Sequence, residues 1–175
     1  MGKWNSMKLT LSLAMSLCAS VAMAQNPLST ETKGLYDQIK ANVIKAADKM
    51  PEENYSFKPT PEVRSFAQLI GHVADAQYLF CSPVKGETRT PPGVEKSKTS
   101  KAELTAALKE AFAYCDAAYG AMTDAEIVKT AKFFGRERTK LNILNFNASH
   151  NNEHYGNIVT YMRLKGLVPP SSEGR

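Results

Sequence analysis

No stretch of this sequence alternates Val, Ile and Thr with polar residues as a half-buried strand would, and no segment repeats another. A sheet-built fold is therefore not expected. Low-complexity tracts are absent. Charge of one sign is not in large excess, with 22 basic residues against 17 acidic. The densest basic run, KSKTSK at 96–101, has no interleaved aromatics. It reads as a solvated loop entering a helix, and no nucleic-acid partner is expected. The chain contains no C-x-x-C-H, which excludes attached haem, and no Glu-x-x-His pairs, which excludes the di-iron bundle pattern.

Long apolar runs are also missing. The longest, LTLSLAMSLCASVA, is too short for a membrane span of about 20 residues. It follows Lys3 and Lys8 and leads into Ala22, Met23 and Ala24, the small-residue pattern of a signal-peptidase site. Residues 1–24 are expected to be a signal peptide cleaved before Gln25. Met7 opens a complete signal peptide by itself, and Leu17 before Cys18 disfavours a lipoprotein. The expected mature chain, 25–175, suits one domain. It carries 20 basic and 17 acidic residues. It is expected in the periplasm or outside the cell, with no membrane attachment after cleavage.

Helical periodicity fills the rest, broken by proline- and glycine-rich joints. The first predicted helix runs from Ser29 to Lys49 with Leu35, Ile39, Val43 and Ala46 inward, and Pro51 ends it. The second opens on a capping box of Ser65 and Gln68 and runs to about Cys81, where SPVKG stops it. The third opens on Ser100 and Glu103, carries Leu104, Leu108, Phe112 and Cys115 on one face, and fades near Gly120. Between 121 and 138 a short helical turn and an extended, hairpin-like piece are expected. The fourth starts near Thr139 and ends at Gly166, before Pro169 and Pro170. This pattern predicts an all-α four-helix bundle. About 18 residues join the second and third helices, more than antiparallel neighbours need, which predicts a crossover with those two helices parallel.

Three cysteines become two after cleavage, Cys81 and Cys115. Each lies 15 or 16 residues past its helix cap, so parallel helices set them at one height, within roughly 2 Å. In an exported protein that spacing suggests a disulfide, the alternative being two buried thiols.

Histidine is equally scarce: His72, His150 and His154 are all there are. His72 shares a face with Leu69, Val73, Ala76 and Phe80. His150 and His154 share one with Ile143, Asn147, Ile158 and Tyr161. All three therefore face the bundle interior. Imidazoles at i and i+4 project to one side, and a third from a facing helix completes a ligand set with positions left open. Isolated inward histidines are more often core residues with one hydrogen bond, but here all three converge. Glu153, Asn147, Asn151 or Gln77 is expected to hydrogen-bond the second ring nitrogens. HNNEH at 150–154 formally matches the H-x-x-E-H zinc-protease pattern, but that class needs a further acidic ligand downstream, and only Glu173 remains.

Two stretches, YSFKPTPEVRSFAQLIGHVADAQYLFCS and NASHNNEHYGNIVTYMRLKGLVPPSS, resemble the DinB/YfiT-like superfamily across essentially the whole mature chain. The resemblance implies a four-helix bundle with crossover connections. It implies a divalent transition metal, nickel or zinc, on His72, His150 and His154. It also suggests a homodimer and a small-molecule substrate, since characterised relatives use small thiols activated at the metal. Export sets this chain apart from those mainly cytosolic thiols. Two functions stay open: a metal-dependent enzyme of the hydrolase or thiol-transferase kind, or a non-catalytic binding or stress-related module stapled by metal.

Overall fold

A computed structural model describes residues 26–174. The expected signal peptide lies outside them. Helix α1 spans Pro27–Lys49, α2 Phe66–Lys85, the short α3 Val94–Ser97, α4 Lys101–Gly120, and the short α5 Asp124–Ile127. A hairpin of β1 (Thr130–Phe133) and β2 (Arg136–Thr139) leads directly into α6, Lys140–Leu164. The fold is all-α, with the two-stranded hairpin as its only sheet among the described residues. No described helix is long and apolar enough to cross a membrane.

Local chemistry sets most helix ends. Pro27 occupies the first turn of α1, where a missing N–H costs nothing. The Asp124 carboxylate accepts from the backbone N–H groups of Leu28 and Ser29 at that same terminus (3.2 and 2.9 Å). The capping box of Ser65 and Gln68 forms at the start of α2. Ser100 and Thr139 cap α4 and α6 through their side chains. Gly166, with φ +73°, ends α6, and the Leu167 N–H bonds the Met162 carbonyl (2.9 Å).

Two local expectations need correcting. Leu35 does not face inward; it is 51% exposed, and Tyr36 is fully buried in its place. The Tyr36 ring stacks on Tyr119 at 3.9 Å, and its hydroxyl lies 3.0 Å from the Phe112 carbonyl and 2.9 Å from Asp116. A tyrosine whose hydroxyl is satisfied can take the inward position as well as a leucine can. Helix α2 also runs past Cys81 to Lys85 with Pro83 inside its last turn. Gly86, in the left-handed region, closes that end, with Glu87 N–H bonding the Ser82 carbonyl (2.9 Å).

The starts of α2 and α4 both meet the end of α1. Tyr55, just ahead of α2, donates to the Ala47 carbonyl (2.7 Å), and Lys101 donates to the Asp48 carbonyl (2.8 Å). Helices α2 and α4 are therefore parallel, joined by the crossover that contains α3. The pairs Arg64–Tyr161, His72–His150 and Gln77–Asn147 show that α6 runs antiparallel to α2. In chain order the four long helices run up, down, down and up.

Two features stitch the centre. Cys81 and Cys115 are bonded, with Cα atoms 5.4 Å apart. Next to them three buried amides close a ring. Asn147 donates to Gln77 (3.2 Å), Gln77 to Asn151 (2.8 Å), and Asn151 back to Asn147 (3.2 Å).

The disulfide closes a loop with a sequence separation of 34. Replacing both cysteines with alanine is expected to lower unfolding free energy by about 3–4 kcal/mol, read from urea midpoints. Thiol titration of unreduced, denatured mature protein is expected to find no free cysteine, and two reactive thiols would contradict the pairing.

Candidate metal centre

The antiparallel register of α2 and α6 brings the three histidines to one point. His72 Nε2 lies 3.1 Å from His150 Nε2, which lies 3.1 Å from His154 Nε2. The three potential ligand atoms all fall within 4.8 Å of one another. His154 is buried, and the other two are partly so. Burial, and then the neighbouring His154, His72 and Arg64, push the His150 imidazole down to about 3. His154 is shifted down by burial and by His72, against the pull of Glu153. These two imidazoles are therefore neutral at pH 7 and present lone pairs.

The donor spacing fits a small cation. Two nitrogens sharing one ion at about 2.0–2.1 Å each can lie no more than roughly 4 Å apart, and both 3.1 Å separations fall inside that limit. The disulfide removes Cys81 and Cys115 as thiolate ligands. No further His, Cys, Asp or Glu joins the cluster among the described residues.

The carboxylate that orients the site is Glu95, which the sequence pattern did not single out. Its Oε2 lies 3.0 Å from His72 Nδ1, and its Oε1 accepts from Arg64 Nε (2.8 Å). Burial opposes ionisation of Glu95, but the hydrogen bonds from Arg64 and His72 outweigh it and hold the carboxyl below its usual range. Accepting from Nδ1–H leaves the His72 Nε2 lone pair aimed at the other imidazoles.

The expected partners of the second ring nitrogens are not there. Glu153 is exposed and bonds no imidazole, because its position on α6 turns it toward solvent beside His154. Asn147, Asn151 and Gln77 spend their polar atoms on one another and on nearby backbone. The Nδ1 atoms of His150 and His154 are buried without a hydrogen-bond partner. Packing orients these rings instead, with Phe80 5.2 Å from His150 and the His72 ring 4.7 Å from His154.

Glu95 belongs to the crossover, and α2 itself pins it there. Asp75 accepts from the N–H groups of Val94 and Glu95 (2.9 and 3.0 Å). Gly71 permits the contact, since a Cβ at that position would lie 2.6 Å from Glu95 Cα. Gly71, His72 and Asp75 thus lie on one face of α2, two holding the segment and one receiving its carboxylate. A signal for this existed only in retrospect, as a glycine beside the first histidine. Beside His154 a cleft of about 360 Å³, lined also by Arg64, Glu153 and Asn157, opens to solvent. Gly71→Ala is expected to displace α3 and weaken Zn²⁺ or Ni²⁺ affinity about 10–100-fold, as is Glu95→Gln, with helicity retained. Titration against a competing chelator, with circular dichroism, measures both, and unchanged affinity in the two variants would remove Glu95 from the site.

Comparison with known proteins places the fold in a family. The family model described as the DinB superfamily matches residues 35–158. The chain is 25% identical over 123 residues to the uncharacterised protein YjoA of Bacillus subtilis strain 168, covering 69% of this chain and 79% of that one. The crystal structure of a DinB-like protein from Bacillus cereus ATCC 10987 superposes with a TM-score of 0.70 at 20% identity, over 79% of this chain and 93% of that one. A mutant of the mycothiol-dependent maleylpyruvate isomerase shares the fold with a TM-score of 0.63 at 15% identity, over 75% of this chain and 60% of that one. On the strength of the family match across most of its length, the chain belongs to the DinB superfamily.

Proposed function

We propose that this protein is an exported, metal-dependent enzyme in which His72, His150 and His154 hold one divalent transition metal, nickel or zinc. The observation that carries this reading is the convergence of three imidazoles, with His150 Nε2 3.1 Å from the Nε2 atoms of both His72 and His154 and with His72 held by Glu95. Bound there, such an ion lowers the pKa of a water or thiol at an open position. Three protein ligands, with no fourth joining them among the described residues, match the pattern of catalytic rather than closed structural sites.

The chain's own residues serve the chemistry around that point. His72 presents its Nε2 lone pair because Glu95 accepts from its Nδ1–H. Arg64 neutralises Glu95 and stands in the cleft beside His154, where it can meet a negative group on an incoming small molecule. Glu153, on the wall of the same cleft, is placed to take or return a proton at the cleft rather than at an imidazole. The resemblance to a mycothiol-dependent isomerase supports a thiol or water as the activated group. Export is supported by the pattern of residues 1–24 and by the Cys81–Cys115 bond, since disulfides persist in oxidising compartments.

A metal used for chemistry is not needed to hold this bundle, because the disulfide and the amide ring already join its helices. Untagged protein is expected to bind about one equivalent of nickel or zinc by elemental analysis, in the one-ion sense of three ligands. His72→Ala should lower metal content at least as much as His154→Ala, and unimpaired binding by the former would refute the three-histidine site. Chelation should leave helical circular dichroism in place; unfolding on chelation would favour a non-catalytic, metal-stapled module.

A further inference from the structure

The hairpin sets two exposed arginines on the same face as its buried phenylalanine. Its register pairs Ala131 with Arg138 and Phe133 with Arg136, so these four side chains share one face. That face meets the bundle. Phe133 is buried, with its ring 5.6 Å from Phe80 and 6.1 Å from Phe146 of α6. Lys132 and Glu137 take the opposite face. Arg136 and Arg138 share the face of Phe133 but remain exposed, and neither pairs with a carboxylate among the described residues. With Phe133, Phe134, Asn142 and Phe146 they line a cavity of about 510 Å³, within the size range of small-molecule sites.

The turn adds an independent observation. Phe134 has φ +46° and Gly135 φ +76°. A two-residue turn with both angles positive favours Asn or Asp followed by Gly. Phenylalanine occupies the first position against that preference, and its side chain is 66% exposed. Local backbone strain and exposure both disfavour this residue. Its ring, 4.2 Å from Phe133, stands at the rim of the cavity. Phe146, on the other side, is 50% exposed.

We infer that this cavity binds a small amphipathic anion, with its negative group on Arg136 and Arg138 and its apolar or aromatic body between Phe134 and Phe146. Guanidinium groups without carboxylate partners recognise a carboxylate, sulfonate or phosphate by charge-assisted hydrogen bonds, and the rings supply the apolar walls. Asn142, Phe146 and His150 succeed one another at four-residue steps on α6, so the cavity lies within roughly 12 Å of the imidazoles along the helix. The Phe80 ring lies 5.2 Å from that of His150 and 5.6 Å from those of Phe133 and Phe146. None of the three histidines lines the cavity, so binding there does not depend on the proposed metal-dependent reading.

The test uses the anionic probe 8-anilinonaphthalene-1-sulfonate and its neutral counterpart N-phenyl-1-naphthylamine. Both are titrated by fluorescence into the mature full chain, as purified and again after chelation. The expected result is one saturable site per chain for the anion, with or without metal. The double variant Arg136→Gln/Arg138→Gln should weaken the anion about tenfold or more and leave the neutral probe little changed, given what a charge-assisted hydrogen bond contributes. Phe134→Asn should weaken both probes and raise the melting temperature, because Asn relieves the turn. Equal anion binding by the double variant overturns the inference. So does a sedimentation result in which the protein is a dimer that Phe134→Asn makes monomeric, since the cavity would then be an interface between two copies. Loss of anion binding on chelation would show that the probe sits on the metal instead.

Discussion

Three side-chain amides buried between α2 and α6 set the register on which the site depends. Gln77, Asn147 and Asn151 close a ring of hydrogen bonds beside the Cys81–Cys115 bond. Shifting α6 by one turn would leave several buried polar atoms without partners, each costing about 1–3 kcal/mol. Apolar contacts alone tolerate such slips far better, because they lack direction. In the register the ring selects, His72 lies opposite His150 and His154, within two turns of the amides. The polar core is thus a positioning device for the imidazoles, though it hydrogen-bonds none of them.

A second constraint comes from the crossover. Parallel α2 and α4 require a long connection, and part of that connection, α3, lies against α2 in front of His72. Asp75 holds its N-terminus, and the missing side chain at Gly71 lets its backbone approach. The connection that the topology demands also delivers Glu95. One stretch of α2 therefore supplies a metal-ligand candidate and the two residues that place its carboxylate. The hairpin before α6 brings two arginines and the exposed ring of Phe134 toward the same helix, where Phe146 is also exposed.

Much of the fold was legible in the residues because helices announce themselves locally. Caps at Ser65, Ser100 and Thr139, the stop at Gly166, and the apolar faces of α2, α4 and α6 each depend on neighbours within a few positions. Leu35 was misread because a hydropathy pattern cannot tell a leucine from an adjacent tyrosine whose hydroxyl will find partners 76 and 80 residues away. SPVKG was misread as a stop at Cys81 because one proline removes a single i→i−4 hydrogen bond and crowds a single carbonyl, and the helix absorbs that cost for a further half-turn past Pro83 before Gly86 closes it.

By itself the sequence determined four amphipathic helices, the inward faces of all three histidines, the level of the two cysteines, and the length of connection that forces two helices to run parallel. These follow from periodicity and rise per residue, which are properties of a single segment. Only the tertiary structure decided which carboxylate meets His72, that Glu153 turns to solvent, that the amides bond one another, and that Arg136 and Arg138 share the face of Phe133. Those depend on contacts between segments distant in the chain. A side chain's partner there is chosen by the packing of two surfaces, and no local pattern encodes it.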